Sequence, residues 1–375
     1  MTCWYHTYQN FMDFLKYICK TLVKMRPIIP CHSTLQNPAA KYVSKVLKDI
    51  LANRPFILNG MKDLAIRLNQ AKISSTCKKF LVSFDIIVFY PNIPLNLTIE
   101  QKKQKWWDEI KPSLAEKALF NLCISLACKN FLCQFDRRIF LKLQGIAMGV
   151  ACSPDIANVW AAIYEEEFVQ QVQDDIYEDN FLIFYGRFID DGFIIVYTNS
   201  EQDALSKCKT WVQFAGLGLT WEVSEWNLPF LHMLVYIDLV TGKIEHKPFF
   251  KARNHLKQIQ FASHHPFNVR KGTFIGEMSW MAVLSSNPDN HKSALLNLQS
   301  IYIACGYPVD LVQKWTKDNI AKRWIKRLEE VPKDIGTVSA KDVQNKSNLL
   351  VLKTTFNPIW DSFNIHELSK VVVDK

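Results

Sequence analysis

The chain has 375 residues, 49% hydrophobic and 13% aromatic, with 45 Lys and Arg against 36 Asp and Glu for a formal net charge of +9. That length supports a large core divided into two or three subdomains, and the composition excludes a disordered chain. No run of about 18 uncharged apolar residues marks a membrane span, and the N-terminus lacks the basic start and unbroken apolar region of a signal peptide. The ten cysteines form no CxxC pair, and Cys123, Cys128 and Cys133 lie five apart, a spacing that suits neither zinc nor a secreted disulfide framework. They read as buried free thiols of an intracellular, reducing compartment, nuclear or cytoplasmic.

Taken in order, residues 8–25 and 40–53 carry apolar positions at three- and four-residue spacing and predict helices. "KKFLVSFDIIVFY" (78–90) is β-branched and aromatic, a buried strand ended by Pro91. Helical patterns follow at 97–110 and 113–129, and 131–143 reads as a hairpin around Asp136-Arg137. Ser153-Pro154-Asp155 opens a helix to about Gln170, with Ser as N-cap and Pro in the first turn. "YGRFIDDGFIIVY" (185–197) predicts a second hairpin, with Asp191-Gly192 as its turn dipeptide. A helix at 201–215 and strands within 219–250, turning at Thr241-Gly242, complete this part. From 268 to 330 the pattern is helical, broken at Gly306 and Pro308. The tail, 331–375, is polar with one short strand candidate, "LLVLKTTF". The expected class is α+β: helices on one face of an antiparallel sheet, then a mostly helical region.

The turn dipeptide leaves Asp190 unexplained, because it adds like-charge repulsion beside Asp191. Asp85, inside the apolar strand of 78–90, is a third carboxylate in a costly place. Either each is an ordinary hydrogen-bonding residue, or one sheet end gathers all three around a cation. Carboxylate oxygens with room for waters and phosphates suit Mg²⁺, and a pair of such ions serves in-line nucleotidyl transfer. Between the acidic segments, "LQGIAMGVACSPDIANVW" puts Gln144-Gly145 and Met148-Gly149 just before a helix, where glycine permits close backbone approach. Farther on, "KWTKDNIAKRWIKR" gathers Lys314, Lys317, Lys322, Arg323, Lys326 and Arg327 on one helix, with Trp315 and Trp324 turned inward. Such a stripe suits a solvated face as well as phosphate contact.

The ordered set "SFDIIVFYPNIP", "QGIAMGVACSPDIAN" and "YGRFIDDGFIIV" resembles the palm motifs of reverse transcriptases, most closely those of Penelope-like retroelements. "RPIIP" (26–30) resembles that group's fingers segment, "LPFLHMLVYIDLVTGKIEHKPFF" and "ASHHPFNVRKG" its post-palm segments, and "ACGYPVDLVQKW" its thumb. The resemblance implies a right-hand polymerase: partial fingers over 1–78, palm over 79–250, a helical thumb-like region over 251–330 and a tail over 331–375. It implies an RNA-directed DNA polymerase that joins dNTPs to a DNA primer on an RNA template with two Mg²⁺ ions, Mn²⁺ being a possible substitute. It assigns Asp85 and Asp190 as metal ligands and Asp191 as the supporting carboxylate of the catalytic set. It makes Tyr90 the ring under the incoming sugar, which excludes a 2′-hydroxyl. Gln144, Gly145 and Met148 fall on the loop that touches the template–nucleotide pair. Arg26 becomes a triphosphate contact, and Lys247, Arg253, Lys322 and Arg323 contacts to nucleic acid.

Departures from the family pattern support an alternative, an inactive or domesticated nucleic-acid-binding remnant. Gly149-Val150-Ala151-Cys152 precedes Ser153-Pro154 where the family usually reads Gly-Ser-Pro, and His232 stands at an aspartate position. "TFIGEMSWMAVLSS" lacks the family's arginines after "KG", few residues precede Arg26, and no GIY-YIG module follows residue 330. Each of these leaves the three aspartates in place.

Overall fold

The computed structural model describes residues 31, 34, 36–52, 54–71, 78–94, 107, 111–128, 132–135, 138–141, 145–179, 182–214, 216–250 and 258–330. The expected helix at 8–25, nearly all of the one at 97–110, and the tail strand lie outside them, as do Arg26, Gln144 and Arg253. The chain divides into two compact units, one of residues up to Ile57 with Ser83–Phe193 and Gln202–Glu222, the other of Leu58–Val82, Ile194–Glu201 and Val223 onward.

In the first unit, α1 (Gln36–Leu51) starts before the expected residue 40, because Pro38 is well suited to a first helical turn. Its buried face is Ala40, Val43, Leu47 and Ile50, at helical spacing, and it packs on α4 (Leu114–Cys128) and α5 (Ser153–Asp179). Helix α2 (Met61–Gln70) belongs to the second unit, and α3 is the single turn Phe89–Asn92. Helix α5 runs on to Asp179, past the expected Gln170, since neither Gly nor Pro interrupts it.

The central sheet has strand order β4 (Leu182–Phe188), β5 (Asp191–Tyr197), β1 (Lys79–Ile86), β6 (Leu219–Ser224). The end of β1 meets the start of β5, where Ile86 N–H donates to Asp190 O at 3.0 Å. It also meets the start of β6, where Ile87 N–H donates to Gly218 O at 2.9 Å, so neighbouring strands run antiparallel. Rings of Phe84, Tyr185, Phe214 and Trp221 pack together in this unit. The hairpin expected at 131–143 is present as β2 (Leu132–Phe135) and β3 (Arg138–Leu141), with Phe135 opposite Arg138.

In the second unit, β7 (Asn227–Phe230), β8 (Met233–Ile237) and β9 (Ile244–Pro248) form an antiparallel meander. Its first turn places both Leu231 and His232 at positive φ (44° and 62°), the paired left-handed geometry of a tight hairpin. The second turns at Thr241-Gly242 as expected, with Asp238 Oδ1 accepting from the N–H groups of Val240 and Thr241. Helix α6 (Glu201–Trp211), before the meander in the chain, belongs almost wholly to the first unit, while α7 (Phe267–Val283), α8 (Pro288–Ala304) and α9 (Val309–Glu330) follow the meander in the second. The break at Gly306 (φ 87°) is where the sequence puts it. A second break, at 284–287, is one the helical pattern passes over: Asn287 caps α8, its side chain accepting from Asn290 N–H, with Pro288 at the first position. Phe274, Met278, Leu295, Tyr302, Val312, Trp315 and Trp324 make the core of these three helices. No described helix is long and apolar enough to cross a membrane.

Candidate active site

The hairpin of β4 and β5 turns two residues earlier than Asp-Gly chemistry predicts. Ile189 and Asp190 form the turn, and Asp191 and Gly192 already belong to β5. Gly192 answers to a packing demand instead: a Cβ there would lie 2.1 Å from the buried ring of Phe84. Ile189 takes the left-handed conformation, φ 57°, an outlier for a β-branched residue, and Val88, just past β1, does the same at φ 53°. Backbone of this kind persists only where surrounding structure enforces it.

Asp85 is the penultimate residue of β1, and the hydrogen bond from Ile86 N–H to Asp190 O makes the two aspartates neighbours across the sheet. Asp85, Asp190 and Asp191 are each half-buried, and Asp85 and Ser83 are the two residues of β1 that are not fully buried. The set offers oxygen donors only, and its chemistry therefore fits a hard divalent cation. Among the described residues, however, no three His, Cys, Asp or Glu side chains gather closely enough to hold a metal as they stand.

Tyr90 stands near Asp190. Burial, followed by the nearby Asp190 and Asp155 carboxylates, pushes its phenol up to about 12. Its carbonyl accepts from Ile146 N–H at 2.8 Å, and Gly145 (φ 74°) lies so close to Pro91 that a Cβ would fall 2.2 Å from the Pro91 carbonyl oxygen. The glycine loop is thus held against α3 by backbone contacts, as a close approach requires. Half-buried Met148 sits in the same loop, and the Ser153 hydroxyl closes it by donating to Ala147 O at 2.7 Å. Backbone contacts and charge thus link Asp85, Asp190, Tyr90 and Gly145, with Asp191 next to Asp190 in the chain.

The basic residues are placed separately. Lys247, in β9, lies 5.5 Å from the Tyr236 ring, a cation–π contact. On α9, Trp315 and Trp324 are buried as expected, while Lys314, Lys317, Lys322 and Lys326 are exposed and Arg323 is half-buried. Arg327 departs from the expected stripe: it is buried, its guanidinium 5.1 Å from the Trp324 ring. Cys31, Cys123, Cys128, Cys152, Cys208 and Cys305 are free thiols, and Cys128 and Cys152 approach to 3.7 Å.

The residues that sequence reading passes over are Glu165 and Arg187, each fully buried. Arg187 donates from Nε to Glu165 Oε1 at 2.6 Å and from Nη2 to Glu165 Oε2 at 2.8 Å, and the Tyr185 hydroxyl adds a bond to Glu165 at 2.6 Å. The available signal was a lone arginine in "LIFYGRF", an otherwise uncharged strand.

No family model and no curated protein matches the sequence. Among solved structures, telomerase from Candida albicans in complex with a fragment of telomeric RNA is similar over 89% of this chain and 58% of its own, at 10% identity and a TM-score of 0.53. Telomerase from Candida tropicalis in complex with the corresponding RNA fragment matches 90% of this chain and 56% of its own, at 13% identity and a TM-score of 0.44. The RNA-dependent RNA polymerase of a human picobirnavirus, as an insertion-loop deletion mutant, matches 79% and 57%, at 13% identity and a TM-score of 0.45. The chain thus spans under two thirds of the length of these neighbours. Its antiparallel sheet with packed helices is a polymerase palm-like fold.

Proposed function

We propose that this chain is the polymerase domain of a retroelement reverse transcriptase, of Penelope-like type, which extends a DNA primer on an RNA template. The observation that carries the proposal is the meeting of Asp85 and Asp190 at adjacent strand ends, with Tyr90 near Asp190. In the reaction, the primer 3′-hydroxyl oxygen bonds to the α-phosphorus of a dNTP, the bond to pyrophosphate breaks, and the hydroxyl proton leaves to solvent. Asp85, Asp190 and Asp191 would hold two Mg²⁺ ions, which supply charge neutralisation for the attacking and leaving oxygens. Chemistry of this kind asks the protein mainly for position and charge. The half-buried ring of Tyr90 gives a hard surface where a ribose 2′-hydroxyl would project, which favours dNTPs over NTPs. The loop from Gly145 to Gly149, fixed against α3, gives a rigid floor for the template–nucleotide pair.

A second reading, a nucleic-acid-binding remnant without turnover, draws on the absence of a gathered metal-binding group among the described residues. Primer extension on an RNA template with dNTPs and Mg²⁺ decides between them. The expected result is extension by the wild type that falls to background in Asp190→Asn, with Tyr90→Ala gaining NTP incorporation. Template–primer binding with no extension in Mg²⁺ or Mn²⁺ would establish the remnant.

A further inference from the structure

Arg187 lies three residues before Asp190 and is wholly enclosed. A guanidinium has five N–H donors in a fixed planar fork, and here every one has an acceptor. Nε and one N–H of Nη2 take the two oxygens of Glu165, at 2.6 and 2.8 Å. Nη1 donates to Asn158 Oδ1 at 2.9 Å and to the Ile189 carbonyl at 2.6 Å, and Nη2 also reaches Asn158 O at 3.4 Å. The backbone is fixed as well, since Arg187 N–H donates to Phe56 O at 2.9 Å. Glu165 and Asn158 both come from α5, so the fork ties that helix to the hairpin turn.

The acceptor of greatest consequence is the Ile189 carbonyl. Ile189 occupies the left-handed region, where a β-branched residue stays only under external constraint, and its carbonyl begins the peptide bond to Asp190. A buried, saturated donor fork on that carbonyl is such a constraint. A salt bridge that served packing alone would need only Glu165; the bond to Ile189 O spends a charged donor on the turn itself.

We infer that Arg187 is a positioning residue: through the Ile189 carbonyl it fixes the turn that presents Asp190, and so sets the affinity of the aspartate site for a divalent cation. This rests on the polymerase reading for what Asp190 does. Lysine keeps the positive charge but has three donors on one atom and cannot span Glu165, Asn158 and Ile189 together.

The test is Mn²⁺ binding, followed by the electron paramagnetic resonance signal of the free ion, with no nucleic acid present. Wild type, Asp190→Asn and Arg187→Lys are compared well below their melting temperatures. Asp190→Asn is expected to weaken binding, and Arg187→Lys to raise the Kd about tenfold, as loss of a group that orients a ligand does. Extension by Arg187→Lys should then need correspondingly more Mg²⁺, a shift that a general loss of stability would not produce. If Arg187→Lys does not fold, Glu165→Asp replaces it: the charge pair stays, but the carboxylate is one methylene shorter and draws the fork away from Ile189 O. It should raise the Kd in the same direction. Mn²⁺ binding weakened by Asp190→Asn but unchanged in the folded Arg variant, or in the Glu165→Asp stand-in, overturns the positioning role alone. Binding that Asp190→Asn leaves untouched overturns the polymerase reading, and this role with it.

Discussion

The hairpin around Asp190 and the helices α7 to α9 are both well buried, but by different means. In the helices most enclosed side chains are apolar or aromatic: Phe274, Met278, Leu295, Val312 and Trp315 fill space without directional demands, although His291, Gln299, Thr316 and Arg327 are enclosed with them. At the hairpin the enclosed groups include the charges of Glu165 and Arg187, every contact has a direction, and one turn residue stands at positive φ. Burying a charge pair is a poor way to gain stability and a good way to fix geometry. The helices rest chiefly on packing, whereas the hairpin has to place particular atoms.

The largest effect should come from splitting the ion pair. Arg187→Met leaves the Glu165 carboxylate enclosed without its partner and should cost about 3–5 kcal/mol of unfolding free energy. Combining it with Glu165→Leu should recover much of that loss, because no uncompensated charge remains, while primer extension stays lost. Urea denaturation of the two single variants and the double closes the cycle. Additive losses would mean that the pair is not a unit, and the contrast between the two regions would fail.

Much of this layout was open to sequence reading, and the failures have physical causes. Asp85 and Asp190 stand out because charge interrupts apolar strands, and the antiparallel sheet then brings them together. The turn was misplaced because Asp191-Gly192 satisfies a local rule, while the true reason for Gly192 is the Phe84 ring on the neighbouring strand, a tertiary fact. Glu165 sits in "EEE", where nothing local distinguishes the one glutamate that faces Arg187. The break before Asn287-Pro288 was legible in principle: an N-cap residue followed by proline marks a helix start, but the apolar pattern runs across it. Spacing puts Arg327 on the exposed stripe, and nothing local says that it is buried against the Trp324 ring.

An intermediate effect sharpens the contrast from the helical side, where a titratable ring is sealed beside Trp324 and Arg327. His291 is fully buried, stacked 4.9 Å from Trp324, and neither ring nitrogen has a hydrogen-bond partner. Burial first, and then the Arg327 charge, hold it down to about 3 from an ordinary 6.5. The neutral form is the folded form, so the unfolded chain takes up a proton first as pH falls. Stability from this group is complete above about 6.5 and is lost progressively from there toward 3, reaching roughly 2 kcal/mol of loss at pH 5. Denaturation measured at pH 7 and pH 5 should show that difference, and His291→Phe should remove this contribution from it. A His291→Phe protein equally sensitive to acid would place the acid-labile groups elsewhere.

The smallest expected effect concerns the exposed face of α9, where stability and binding should separate. Lys314 and Lys322 lie eight residues apart on the exposed side of the helix, while Trp315 and Trp324 occupy the buried side. Replacing both lysines with alanine removes charge without touching the core, so unfolding free energy should change by no more than about 0.5 kcal/mol. If this face follows a nucleic-acid backbone, each lost phosphate contact should lower the slope of log affinity against log salt by about 0.7 to 0.9. If the face is only solvated, the slope stays as it was. Fluorescence anisotropy of a labelled template–primer over a salt series measures that slope without requiring turnover. A reduced slope in a protein of unchanged stability would give the helical region a binding role that owes nothing to its core.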